Sequence, residues 1–181
     1  MTVRTSWTAR DGTPVTIRDI SPADLALETE FVDSLSPASG YQRLMSPRRL
    51  SAEELRRFTD IDPDRERALI ALTRVDQAER QVGVARYVKT SRDQAEFAIV
   101  LRDDWQQRGL GTVLVQELIA YARQDGLASL FGTTFSSNAG MLRLARKLGF
   151  QVAAQPGAAI VRNLTLKLGP RVCLSDSASP S

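Results

Sequence analysis

The segment Trp105-Gln106-Gln107-Arg108-Gly109-Leu110-Gly111-Thr112 constrains this chain more than any other. It follows an apolar run at residues 97–101 and opens an amphipathic stretch at 110–123. That order reads as strand, tight turn and helix. Two glycines at the junction, Gly109 and Gly111, let the backbone curl so that several N–H groups point the same way. The open N-terminus of the helix adds unpaired N–H groups and a partial positive charge. The result is an anion cradle suited to a pyrophosphate, with the N–H groups of 107–112 as the expected contacts. A dinucleotide fingerprint would need a third glycine, and a P-loop would need Gly-Lys-Ser/Thr; neither is present.

Composition removes several function classes. The chain has 181 residues, enough for one domain with a sizeable core. Histidine is absent, which excludes His-based triads and almost every zinc site, so no metal is expected. Any general base must then be a carboxylate, a tyrosine, a perturbed amine or a water. One cysteine, Cys173, excludes an intrachain disulfide framework. The net charge of +3 is dispersed, which argues for a solvated surface and against a nucleic-acid partner. No apolar run approaches the ~20 residues of a membrane span, and the N-terminal residues lack a signal core. The expectation is a soluble cytoplasmic protein, monomer or dimer, with no membrane partner.

Residues 14–20 alternate and read as a strand. Ser21-Pro22-Ala23-Asp24 starts a helix, with Ser21 as N-cap and Asp24 at the capping-box position, and Ser36-Pro37-Ala38-Ser39-Gly40 ends it. Ser51-Ala52-Glu53-Glu54 begins a second short helix. Residues 67–73 and 81–90 read as an antiparallel pair separated by a polar stretch at 74–80, and 95–101 as the next strand. A helix at 110–123, a strand at 127–135, a helix at 137–148 and strands at 150–154 and 159–168 complete the order. This is an α/β protein: one domain over 1–169 with helices on the faces of a mixed sheet, and a polar tail at 170–181 that reads as disordered.

With these residues in place, the chain resembles the GCN5-related N-acetyltransferase (GNAT) superfamily. The family's central motif is Gln or Arg, two residues, Gly, one residue, Gly or Ala; here it is Gln106-Gln107-Arg108-Gly109-Leu110-Gly111. A second match is Asn138, with Leu148-Gly149-Phe150 closing the next helix. The likeness spans about 13–168. Within the superfamily, Leu35-Ser36-Pro37-Ala38-Ser39-Gly40-Tyr41, Ala95-Glu96-Phe97-Ala98-Ile99-Val100 and the stretch at 138–150 resemble the acetyltransferase domain of bacterial protein-lysine acetyltransferases (Pat-like). The resemblance implies a central, mostly antiparallel mixed sheet of about six to seven strands flanked by about four helices. It implies acetyl-CoA as cosubstrate and a protein lysine as acceptor, for example on an AMP-forming acyl-CoA synthetase.

The resemblance also implies site roles. In GNAT proteins the strand before the turn splays from its neighbour, and Ile99, Val100 and Leu101 match the segment that holds the pantetheine amides and thioester. Arg108 offers a side-chain charge to a phosphate or simply a solvated arginine. Asn138 suits hydrogen bonding to the pantetheine arm and capping of its helix. Glu96 is the candidate general base: a charged residue entering an apolar strand, sharing a face with Ala98 and Val100, where partial burial would raise its pKa. A glutamate at the matching Pat-like position is taken as the base. Ala145 stands where many GNAT enzymes have a tyrosine acid, and Cys173 reads as an unreactive thiol, so direct transfer is expected. Tyr41, Arg43, Arg48, Arg49 and the Asp60/Asp62 loop lie in the region expected to set specificity, with no role assigned to any of them. Two rival readings remain: a small-molecule amine acetyltransferase and a non-catalytic CoA-binding module.

Overall fold

The computed structural model describes residues 3–44 and 50–169. Arg48, Arg49, Cys173 and the 170–181 tail lie outside the described residues, as do the side chains of Tyr41 and Arg43. Eight strands form one sheet: β1 (Val3–Thr8), β2 (Pro14–Asp19), β3 (Glu66–Val75), β4 (Ala78–Lys89), β5 (Gln94–Leu101), β6 (Ser129–Phe135), β7 (Gln151–Gln155) and β8 (Ala158–Lys167). Five helices accompany them: α1 (Leu25–Asp33), α2 (Pro37–Leu44), α3 (Ala52–Thr59), α4 (Leu110–Gln124) and α5 (Ala139–Lys147). The sheet order is β1-β2-β3-β4-β5-β6-β8-β7, antiparallel throughout except where β5 meets β6.

Both faces of the sheet are covered, and the sequence of β3 shows why. Ala68 to Leu72 are all buried, because Leu69 and Ala71 face α4 while Ala68, Ile70 and Leu72 face α1. A strand buried on both sides loses the polar alternation of a surface strand. On one face α4 presents Leu110, Leu114, Val115, Leu118 and Ala122 to the main core, joined by Ala145 of α5. On the other, Phe31 of α1 anchors a smaller cluster that reaches Val100 of β5.

The sheet and helix counts exceed the sequence expectation by one strand and one helix. β1 is an edge strand of mostly polar residues, so its sequence carries no apolar alternation; its ladder to β2 is what makes it a strand. The stretch 36–40 does not simply end α1. Pro37 opens α2, the position where its missing N–H costs nothing. The polar stretch 74–80 is also mostly strand: β3 and β4 continue to a two-residue turn, Asp76-Gln77, both at positive φ. Such turns match the twist of a hairpin, and beyond the core polar side chains extend the ladder into solvent.

Asp24 at the capping-box position accepts the Ser21 N–H at 2.8 Å. It also receives Arg18 in a two-point pair, Nη1 to Oδ2 at 2.8 Å and Nη2 to Oδ1 at 2.7 Å. Both residues are buried. The capping pattern in the sequence therefore concealed a buried ion pair joining β2 to the start of α1.

Candidate active site

β5 and β6 pair only from Gln94↔Ser129 to Glu96↔Phe131. Beyond Glu96 the strands part: β5 stays with β4 as far as Gly83↔Leu101, and β6 stays with β8 as far as Phe135↔Val161. A wedge opens within the sheet, and among the described residues the β6-facing backbone edge of β5 has no strand partner there. Gly132 sits at the apex. A Cβ at that position would stand 2.9 Å from the Phe97 carbonyl oxygen, so only glycine allows the strands to stay this close where they begin to part. Gly132→Ala is expected to cost about 1–3 kcal/mol and to raise the KM for acetyl-CoA by widening the apex. Thermal unfolding and steady-state kinetics check this; an unchanged melting temperature and KM would contradict it.

A cavity of about 860 Å³ fills the wedge. Its walls are Glu96 to Leu101 of β5, Gly132 to Thr134 of β6 and the start of α5 from Ser137 to Met141. Its floor at the wide end is Gln106, Gln107, Gly109, Gly111 and Thr112. The structure thus brings together Glu96, Ile99, Val100, Leu101, the glycine loop and Asn138 around one space. Asn138 caps α5, accepting the Met141 N–H at 3.0 Å, while lining the cavity.

The loop curls differently from the sequence expectation. Gly109 is left-handed at φ 100°, but the second left-handed residue is Gln107 at φ 61°, not Gly111. Gly111 lies inside α4, where its missing side chain has another use. A Cβ would meet Leu144 at 3.3 Å and Leu101 at 3.4 Å, so glycine lets α4 start hard against α5 and β5. Leu110 is fully buried, so only its backbone is available to the cradle. The Arg108 guanidinium turns away from the cavity: it pairs with Asp11 at 2.7 Å and lies over the Trp105 ring. Glu96 lines the cavity but is exposed, not the half-buried carboxylate of the sequence reading.

The cavity has cations that motif reading passed over. Arg143 and Lys147, one helical turn apart on α5, line it, as does Arg10. The Lys147 ammonium lies 3.4 Å from the Thr112 hydroxyl at the cradle. Their i, i+4 spacing was the available signal. Arg143→Ala together with Lys147→Ala is expected to raise the KM for acetyl-CoA about tenfold at low salt with little change in kcat. The effect should shrink with added salt, since exposed charges are screened. A salt-independent or kcat-only effect would contradict this role.

A loop of paired polar groups backs the site. Asp103 accepts the Ser36 N–H and the hydroxyls of Ser36 and Ser39. Partial burial tends to raise its pKa, but these donors outweigh that and hold it below the ordinary carboxylate value. Among the described residues no group of acidic or cysteine side chains could hold a metal ion, and no helix is long and apolar enough to cross a membrane.

The comparisons with known proteins agree with this geometry. The family model described as Acetyltransferase (GNAT) domain matches residues 15–151. The chain is 34% identical over 142 residues to a curated acetyltransferase of Pseudomonas aeruginosa, covering 77% of this chain and 76% of that one. The chain belongs to the GNAT acetyltransferase family. An L-methionine sulfoximine/L-methionine sulfone acetyltransferase of Pseudomonas aeruginosa shares a shorter stretch, 39% identical over 64 residues, 35% of this chain and 37% of that one. Among solved structures, the GNAT domain of Streptomyces lividans PAT superposes with a TM-score of 0.80 at 24% identity, covering 90% of this chain and 96% of that one. GNAT acetyltransferases take their acetyl group from acetyl-CoA, and this chain is an acyltransferase of that kind. In the GNAT fold as this chain builds it, the wedge, the cradle and the cations of α5 fit an extended, anionic cosubstrate along a single groove.

Proposed function

We propose that this GNAT protein moves the acetyl group of acetyl-CoA to the ε-amine of a lysine on another protein, by direct attack within a ternary complex. The observation that carries this reading is the place of Glu96. It is the last residue of β5 paired with β6, it stands where the wedge begins, and it is exposed. With the pyrophosphate at the loop, the pantetheine arm lies along the free edge of β5 from Leu101 back toward Phe97. That edge spans about 13 Å at ordinary strand rise. The thioester then ends beside Glu96, with Ile99, Val100 and Leu101 offering backbone groups to the arm and to the carbonyl oxygen.

Glu96 accepts a proton from the incoming ammonium, directly or through a water. The freed amine nitrogen attacks the thioester carbon, the C–S bond breaks, and CoA leaves as a thiolate that takes up a proton. Ala145 is buried and offers no acid, so the proton comes from water or from the reacting amine. An exposed base suits an acceptor that arrives on the surface of a folded partner. Acetylation removes the lysine charge and so switches its target.

A second reading has its own observation. Arg86 and Glu96 line a small cavity of about 140 Å³ on the face away from α4. A free amino acid would set its amine at Glu96 and its carboxylate at Arg86. The Arg86 guanidinium donates to the Phe58 carbonyl at 2.6 Å and lies over the Phe58 ring, which holds it in place beside this small cavity. The test is intact-protein mass of a purified AMP-forming acyl-CoA synthetase after incubation with this protein and acetyl-CoA, run beside turnover of free methionine sulfone. One acetyl on one lysine, without turnover of the sulfone, is expected. Turnover of the sulfone alone would overturn the protein-lysine reading. Acetyl-CoA binding with neither product would count against this protein target and direct the search to other small amines.

A further inference from the structure

We propose that Asp103 is a latch that ties α2 to the pyrophosphate loop, so that filling the loop orders the helix beside the acceptor side of β5. The inference rests on the acetyl-CoA site above. Asp103 lies in the short turn between β5 and the loop, and Ser36 and Ser39 lie at the start of α2, 67 and 64 residues away in sequence. The Ser36 N–H donates to Oδ2 at 3.0 Å, the Ser36 hydroxyl to Oδ1 at 2.8 Å, and the Ser39 hydroxyl to Oδ1 at 2.8 Å. The Ser39 N–H in turn donates to the Ser36 hydroxyl oxygen at 3.2 Å.

The link continues into the cradle. The Gln106 side-chain amide donates to the Ser39 hydroxyl oxygen at 3.2 Å, so that hydroxyl receives from the loop and gives to Asp103. Ser39 is buried, yet both it and Gln106 line the cavity. Leu35, just before the helix, packs against the α1 cluster. Within 36–40 itself, Pro37 and Ala38 are exposed and Gly40 has no side chain, so the described side chains that tie this turn down are Ser36 and Ser39. A pyrophosphate that fixes the backbone from Gln106 onward fixes the Gln106 amide, and through Ser39 and Asp103 it fixes the N-terminus of α2. Coupling of this kind is reciprocal: if CoA slows the opening of α2, release of α2 must weaken CoA by the same factor.

The test is amide hydrogen exchange of the full chain with and without saturating CoA, beside calorimetric CoA titrations of wild type and Asp103→Ala. In wild type, CoA is expected to slow exchange at 37–44 by at least about fivefold, the low end of ordinary coupling. In Asp103→Ala, exchange at 37–44 should be fast and indifferent to CoA, while slowing at 107–112 persists and the CoA Kd rises by the factor measured in wild type. A simple structural fastening predicts no CoA-dependent slowing at 37–44 in wild type, and that result overturns the latch. So does Asp103→Ala with wild-type slowing, or a Kd that fails to follow the exchange factor. If Asp103→Ala does not fold, Ser36→Ala, which removes one of the three bonds, takes its place with a smaller matched change. Absence of CoA binding by wild type would instead defeat the cosubstrate assignment on which the latch stands.

Discussion

Glu96→Gln should lower kcat by about 10²–10⁴-fold at pH 7 while leaving the acetyl-CoA Kd within about threefold of wild type. Glutamine keeps the size of the side chain and its place at the apex of the wedge but cannot take a proton. The substituted side chain is exposed and projects from a strand held on its other edge by β4, so the fold should not notice the change. The deficit has a further signature. A lysine amine has a pKa near 10.4, so raising the pH supplies free amine from solution and makes the base progressively unnecessary. The ratio of wild-type to variant kcat should therefore fall as pH rises toward 10. Steady-state rates across pH, with a parallel CoA titration, check both parts. A variant with wild-type kcat at pH 7 would remove Glu96 from the chemistry, and a constant ratio across pH would assign it a role other than proton transfer.

Asp24→Ala should destabilise the protein by about 3–5 kcal/mol, because it leaves the Arg18 guanidinium buried without its partner. Arg18 and Asp24 are 5% and 2% exposed, so solvent cannot replace the lost carboxylate. The change also strips the Ser21 N–H of its acceptor at the entrance to α1. Replacing both members, Arg18→Met with Asp24→Leu, should cost much less than the single change, since no charge is then stranded. The pair also sets a pH dependence. Burial by itself would raise the Asp24 pKa, but the bonds from Arg18 and Ser21 outweigh it and hold it below the ordinary value. Its stabilisation is therefore complete above the unfolded pKa near 3.9 and is lost as the pH falls through the lower folded value. Denaturant titrations of wild type and Asp24→Ala at pH 7 and in acid should show a wide gap that narrows in acid. Equal stabilities at pH 7 would show that the pair contributes nothing net.

The two predictions touch residues that the sequence presented in opposite ways. Glu96 stood out as a charge entering an apolar strand, and the fold leaves it in the cavity wall. Its exposure was not legible, because it depends on what the rest of the fold packs over that position, and the strand's own sequence does not carry that. Asp24 looked like a helix cap only; that Arg18, one strand earlier, turns in to meet it depends on how β2 passes over the start of α1. Gly111 was legible as required but not for the right reason: its need comes from Leu144 and Leu101, which belong to other elements. Arg108 read either as a phosphate contact or as a solvated arginine, and its pairing with Asp11 of the β1–β2 turn was not legible in the motif.

Local chemistry was therefore enough to determine the strand–turn–helix at 97–123, the caps at Ser51 and Asn138 and the absence of histidine chemistry. Each of these depends on residues within a turn or two of one another, or on composition alone. Tertiary structure decided the rest: the parting of β5 from β6 after Glu96, the eighth strand, α2 with its tie to Asp103, and the α5 cations beside the cradle. Those features rest on contacts between residues tens of positions apart, where the energy of pairing belongs to neither segment by itself.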